Sequence, residues 1–407
     1  MSGSLTDEIK RIAGRLGAVK AGVAGKADLA GPPEADMTYV MPEARTAVMY
    51  YVVLDEGLIR KYLSKENVWL YRNHFFENLQ RLGDIGLGVA GALRQRGFQA
   101  APQSPNGVYR PGSNLVSGLV PPFSLRYGCF AAGLGHIGRS GLLITPQFGA
   151  RVQLGGVITD APLEPDSPLE ENPCEACLIC IKSCPTGFMS PKETVTFTLG
   201  GREITHAKKA VHARCAISCA GLTGLSMTGR WSTWSTGRWP MPRDDQTLLR
   251  EVVAPRLREI AASGEGQGFF RLGRTVNVEG YEQPGVLVRS REDTLTTCGN
   301  CSIICVGSAD KRKELWRLLT RSGVVVEGED GEPVAMPPAE AQRVLDEREQ
   351  RRAESSASLE KQGERHGPAN RRDEDLRGTA RGGEGAGDGQ PGRLPQHRPQ
   401  GHDARVR

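Results

Sequence analysis

Seven of the ten cysteines in this 407-residue chain fall in two tight groups. Cys174, Cys177, Cys180 and Cys184 are spaced C-x2-C-x2-C-x3-C and are followed by Pro185. Gaps this short bring three thiolates to one face of an iron–sulfur cube, while the cysteine before the proline points away and serves a second cube. Cys298, Cys301 and Cys305 repeat the C-x2-C-x3-C half of the pattern, without its leading cysteine or trailing proline. Two [4Fe–4S] cubes with a full thiolate set ask for one ligand more than these provide. Cys215 or Cys219 can supply it.

The first run matches bacterial ferredoxins at every spacing, which fixes how the groups exchange ligands. One cube takes Cys174, Cys177, Cys180 and Cys305. The other takes Cys184, Cys298, Cys301 and one of the intermediate pair. Paired C-x2-C motifs also bind tetrahedral zinc, but a third cysteine at the same spacing and the Cys-Pro ending favour clusters. Linked cubes relay electrons, and nothing in their ligands says where the electrons go. Cys129, isolated in Tyr127-Gly-Cys-Phe, reads as a small buried residue.

The elements that must position these thiols show in the periodicity. Residues 4–16 place Leu5, Ile9, Ile12 and Leu16 on one helical face. Val19–Val23 and Thr46–Leu54 are strand-like, the second rich in β-branched and aromatic residues. From Trp69 to Arg96 the apolar spacing turns helical, with Gly97 placed to end it. Val152–Thr159 reads as a further strand ahead of the proline-marked loop 162–173. The expected organisation is an α/β domain over 1–165, a loop-rich cysteine-organised domain over 166–315, an extension over 316–350 and a disordered tail over 351–407. No aromatic residue follows Trp316, so that tail cannot bury enough apolar area to offset its ordering entropy.

Lys and Arg total 52 against 47 for Asp and Glu, a net charge of +5 over the whole chain. So small an excess argues against nucleic acid as a partner. No apolar run approaches the roughly 20 residues of a spanning helix, and the N-terminus has neither a signal peptide nor a twin-arginine pair. A soluble, cytoplasmic protein is expected, and in a reducing compartment clustered thiols bind metal rather than pair as disulfides.

The segment Ala131-Ala-Gly133-Leu-Gly135-His136-Ile-Gly138-Arg139-Ser-Gly141-Leu-Leu-Ile-Thr-Pro-Gln-Phe-Gly149, with Val157-Ile-Thr-Asp160-Ala-Pro-Leu163 before the cysteines, resembles the corrinoid and iron–sulfur reductase superfamily of epoxyqueuosine reductases and reductive dehalogenases. The likeness covers about residues 40–310 and is most specific over 131–185. It implies a nitroreductase-like α/β domain with a mixed sheet, joined to a ferredoxin-like double-cluster domain. It also implies a cobalamin, reduced through the clusters, and Cys215 rather than Cys219 as the eighth ligand. Gly133, Gly135, His136, Gly138 and Arg139 are the candidate cofactor-binding residues; Arg139 could hold an anionic group by paired donors, and Tyr71 is a candidate proton donor. Trp231, Trp234 and Trp239 either roof a substrate pocket or fill a core.

These readings describe an oxidoreductase acting on a small-molecule substrate, with reduced ferredoxin or flavodoxin as electron donor and no membrane. The alternative is a non-catalytic electron-transfer or maturation protein without corrinoid. Epoxyqueuosine reductases carry an acidic proton donor three positions before a proline that matches Pro122, and here that position is Leu119. The chain is therefore not expected to reduce epoxyqueuosine.

Overall fold

A computed structural model describes residues 4–255, apart from 104, 106–108, 117 and 220, together with 258 and 298–365. Ser4 caps helix α1 (Leu5–Arg15) by accepting from the Asp7 amide at 3.2 Å. Strand β1 (Lys20–Gly25) follows, then β2 (Thr46–Val53), α2 (Glu56–Leu63) and the long α3 (Val68–Arg94). Asn67 caps α3, and Gly97, at φ +86°, lies just past its end. Next come β3 (Ala100–Gln103), α4 (Leu125–Ala131), the short pair β4 (His136–Ile137) and β5 (Leu143–Ile144), and β6 (Val152–Thr159).

Strands β1, β2, β6 and β3 form one sheet in that order, and every pairing is antiparallel. Among the described residues the mixed sheet expected from the resemblance is thus not seen. Its cause is topological: β2 and β3, joined through α2 and α3, run parallel to each other, but β6 inserts between them and pairs with both. Strand β2 is buried on both faces. Ala47, Met49 and Tyr51 point into a core with Tyr127, Phe130 and Ile204, while Val48, Tyr50 and Val52 meet Ile9, Leu82, Ile85 and Val89 of α1 and α3. Each fully buried Val, Leu, Ile, Phe or Met among them contributes about 1.5–3 kcal/mol. The Tyr50 hydroxyl donates to the Leu82 carbonyl at 3.0 Å, tying helix to sheet.

Beyond β6 lie α5 (Ile179–Lys182), the hairpin β7 (Met189–Leu199) and β8 (Arg202–Lys209), and α6 (Ala213–Cys219). The chain resumes with α7 (Asn300–Ile303), α8 (Ala309–Arg321), the hairpin β9 (Val324–Glu327) and β10 (Pro333–Met336), and α9 (Pro338–Arg365). The β7–β8 hairpin departs from the loop-rich expectation. Gly200 and Gly201, at φ +56° and +75°, make the tight turn that an alternating pair of strands needs. Contacts cross the expected boundary at 165, with Lys10 paired to Asp166 at 2.6 Å and the Trp234 indole donating to the Tyr62 carbonyl at 2.8 Å.

The chain divides into the units Met1–Glu349 and Gln350–Arg407. Helix α9 continues to Arg365, so the first part of the expected tail is helical; Ala, Glu, Gln and Arg are good helix formers. Residues 366–407 of that tail lie outside the described residues. Among the described residues no helix is long and apolar enough to cross a membrane.

Candidate metal centre

Cys174, Cys177, Cys180 and Cys305 line one cavity, with Arg139, Glu175 and Arg312. Ala176 and Leu178 flank Cys177 in the left-handed region, at φ +51° and +60°. Non-glycine residues avoid that region at some energetic cost, and here two of them turn the chain so that three cysteines meet the same space. The Asn172 side chain fixes the start of the run, accepting from the Cys174 amide at 3.0 Å and donating to the Ile137 carbonyl at 3.1 Å. The Arg139 amide donates to Cys174 Sγ at 3.3 Å.

Cys305 reaches this group from far along the chain. Asn300 Nδ2 donates to the Ser183 carbonyl at 3.2 Å and Ser302 Oγ to the Ala150 carbonyl at 2.7 Å, docking α7 beside α5. The Ala150 amide then donates to the Cys305 carbonyl at 2.7 Å. Gly149, at φ +60°, is required there, because a Cβ would run into that same carbonyl. Burial pushes the Cys180 thiol up to about 12 and the Cys305 thiol up to about 11, and the other cysteines of the group add to both.

Cys184, Cys215, Cys219, Cys298 and Cys301 form a second group. One turn of α6 sets the sulfurs of Cys215 and Cys219 3.9 Å apart. A hydrogen bond with Cys219 holds the Cys298 thiol down at about 6, against the opposing effect of burial. Cys184 and Cys301 are raised, first by burial and then by the neighbouring thiols. Both candidates for the eighth position therefore reach the same sulfurs. Arg214 anchors α6: its Nε donates to Asp245 at 2.6 Å, and its other nitrogens to the carbonyls of Thr186, Pro242 and Arg243. Among the described residues no three His, Cys, Asp or Glu side chains converge on a single-ion site; the first four cysteines are spread round a cavity.

No protein-family model matches the chain. A Listeria monocytogenes epoxyqueuosine reductase is 35% identical over 102 residues, covering 22% of this chain and 27% of the relative. A Dehalobacter restrictus tetrachloroethene reductive dehalogenase is 32% identical over 117 residues, covering 28% of this chain and 18% of the relative. These matched stretches support an epoxyqueuosine reductase/reductive dehalogenase-like superfamily. The chain's matched stretch spans about a quarter or less of those relatives. A solved epoxyqueuosine reductase bound to a tRNA-Tyr stem loop overlays at 19% identity with a TM-score of 0.30, covering 45% of this chain and 52% of that one. That complex corrects one expectation. The sequence relatives include epoxyqueuosine reductases, and one such enzyme is solved with a tRNA stem loop, so the expectation against a nucleic-acid partner does not stand.

Around the cysteines, the candidate cofactor glycines meet the chain's own atoms. A Cβ at Gly133 would collide with the Ser167 carbonyl and one at Gly135 would stand 2.6 Å from the Ile144 carbonyl; at Gly138 it would strike Ile144 and stand 3.3 Å from Cys174 Sγ. His136 is half-buried, edge-on to Phe130 at 5.1 Å, and burial lowers its pKa. Tyr71 is fully buried against Tyr62 and Phe75, its hydroxyl pushed up by burial and by Cys298 and Cys301. Trp231 and Trp234 fill the same core, and Trp239 packs against a smaller one. Cys129 is fully buried in the sheet core. The sequence reading missed Arg312 and Arg214. Both sit within or beside polar runs that look solvated, and Arg214's only signal was its place directly before Cys215.

Proposed function

We propose that this chain is an iron–sulfur reductase with two [4Fe–4S] clusters, one on Cys174, Cys177, Cys180 and Cys305, the other on Cys184, Cys298, Cys301 and Cys215. Residues 166–315 then form a ferredoxin-like electron relay, and residues 1–165 a nitroreductase-like partner that holds a cobalamin. The observation carrying this reading is the exchange of ligands: Cys305 joins the first run across one cavity, while Cys184 of that run sits with Cys298 and Cys301. The chemistry around the cavity suits a cluster. Arg139 and Arg312 each bring a buried Nε with no partner among the described residues, donors suited to an anionic thiolate cluster.

Cobalamin enters the reading through the superfamily, and when bound it would supply the redox chemistry at the substrate. The chain's own part is to hold the clusters and set their charge environment. Anaerobic protein should contain about eight irons and eight sulfides per chain; stoichiometric zinc with little iron would sink the proposal. Added cobalamin should contribute corrin bands to the visible spectrum, and their absence from iron-replete protein would favour the non-catalytic alternative. Complementation of a strain lacking epoxyqueuosine reductase then tests the substrate: restored queuosine assigns a tRNA, and unrestored queuosine with intact clusters excludes epoxyqueuosine in tRNA.

A further inference from the structure

Arg312 stands in the first turn of α8, where Ser308 caps the helix, yet its side chain is only 5% exposed. Three contacts fix the guanidinium. Nη1 donates to the carbonyls of Val306 and Gly307 at 3.0 and 3.2 Å, and Nη2 meets Glu175 Oε2 at 2.6 Å. Its Nε, buried and without a partner among the described residues, is left over, and the residue lines the cavity of Cys174, Cys177, Cys180 and Cys305. A buried charge with a spare donor is costly unless something anionic answers it.

Glu175 answers it only in part. Its side chain is 57% exposed, so water screens the carboxylate far more than the guanidinium. The net field on the cavity is positive. The Arg139 amide pointing at Cys174 Sγ acts in the same sense. Cluster potentials follow net charge, hydrogen bonds to sulfur and solvent exposure, and a positive field favours the more electron-rich state.

We infer that Arg312, with Glu175 as its partial counter-charge, is a positioning residue that raises the reduction potential of the cluster on Cys174, Cys177, Cys180 and Cys305. The inference rests on the cluster reading above. A merely structural tie between α8 and the cysteine loop would show in stability, but not as potential shifts of opposite sign from the two partners.

The test is a potentiometric titration of the anaerobic full-length protein, followed by electron paramagnetic resonance, on the parent and on Arg312→Gln, Arg312→Lys and Glu175→Gln. Arg312→Gln should move one cluster transition to lower potential and leave the other in place. Glu175→Gln should move the same transition upward, and Arg312→Lys should stay near the parent. Unmoved potentials in both neutralised variants overturn the inference. If Arg312→Gln fails to retain iron, Glu175→Gln decides alone: an upward shift upholds the inference and an unchanged potential rejects it. A parent with no iron and no cluster signal rejects the cluster reading itself, which is a separate result.

Discussion

The sheet and the cysteine region are held together by different physics. Strand β2 is sandwiched between apolar layers, and most of its side chains act through area alone. Around the cysteines the anchors are buried polar groups: Arg214 on four partners, Asn300 on the Ser183 carbonyl, Arg312 on a loop and a carboxylate. Apolar layers tolerate a lost methylene at graded cost. A polar anchor that loses its partner leaves an unpaired buried group and fails abruptly. The region that would carry metal is therefore the more fragile, and substitutions should separate the two.

The largest effect is expected at the crossing. Cys305→Ala should remove about half the iron while leaving the other cluster's signal, as Cys184→Ala should for the opposite cluster. If either change empties both sites, or neither, the ligand exchange is wrong. Next comes Arg214→Met. Losing its ion pair and three carbonyl contacts should cost roughly 3–5 kcal/mol, read as a lower denaturant midpoint, and should deplete the second cluster first. Equal loss from both clusters would mean that α6 is not the local anchor.

Lys65, in the turn after α2, is a buried charge outside the sheet. It stands at φ +64°, its Nζ bonded to Ser322 at 3.0 Å, and burial lowers its pKa from 10.5 to about 7. Below pH 7 both folded and unfolded chains hold the proton, so the cost of burying the charge is fully present. Between about 7 and 10.5 the unfolded chain keeps a proton that the folded one has released, and stability rises with pH. Lys65→Met should add roughly 2–4 kcal/mol at pH 6 and flatten that rise. An unchanged pH profile of the unfolding midpoint would show that Lys65 is not buried as a charge.

The same contrast explains what was legible in the sequence. Helix α1, strands β2 and β6 and the long α3 announce themselves because packing on a layer imposes a period. The cysteine groups are legible because a cube imposes a spacing. Arg312 leaves no such mark: in Asp310-Lys-Arg-Lys it reads as one charge of a solvated run, and only the docking of α7 beside α5 turns it inward. The antiparallel sheet was equally hidden, since the insertion of β6 between β2 and β3 depends on contacts distant in sequence.

The smallest effect tests whether the two regions are independent. Asn67 starts α3, its side chain accepting from the amides of Trp69 and Leu70 at 2.8 and 3.1 Å. Those amides belong to the first turn of α3, whose donors have no partner within the helix, so a capping oxygen is worth about 1 kcal/mol. Asn67→Ala should lower stability by that amount, and Asn67→Asp should restore it, since a carboxylate also suits the positive end of the helix dipole. The first turn of α3 leads into Tyr71, which packs on Tyr62 at 4.6 Å in the core shared with Ile303 and Ile304 beside the cysteines. A frayed α3 start should nevertheless leave iron content unchanged, because Asn300 docks the cysteine loop beside α5, and Ser302 and Gly149 dock it ahead of β6, without it. Iron analysis beside the denaturant midpoint checks this. A fall in iron with so small a loss of stability would mean that the aromatic core carries strain from α3 to the cysteines, and that apolar packing and polar anchoring act as one system.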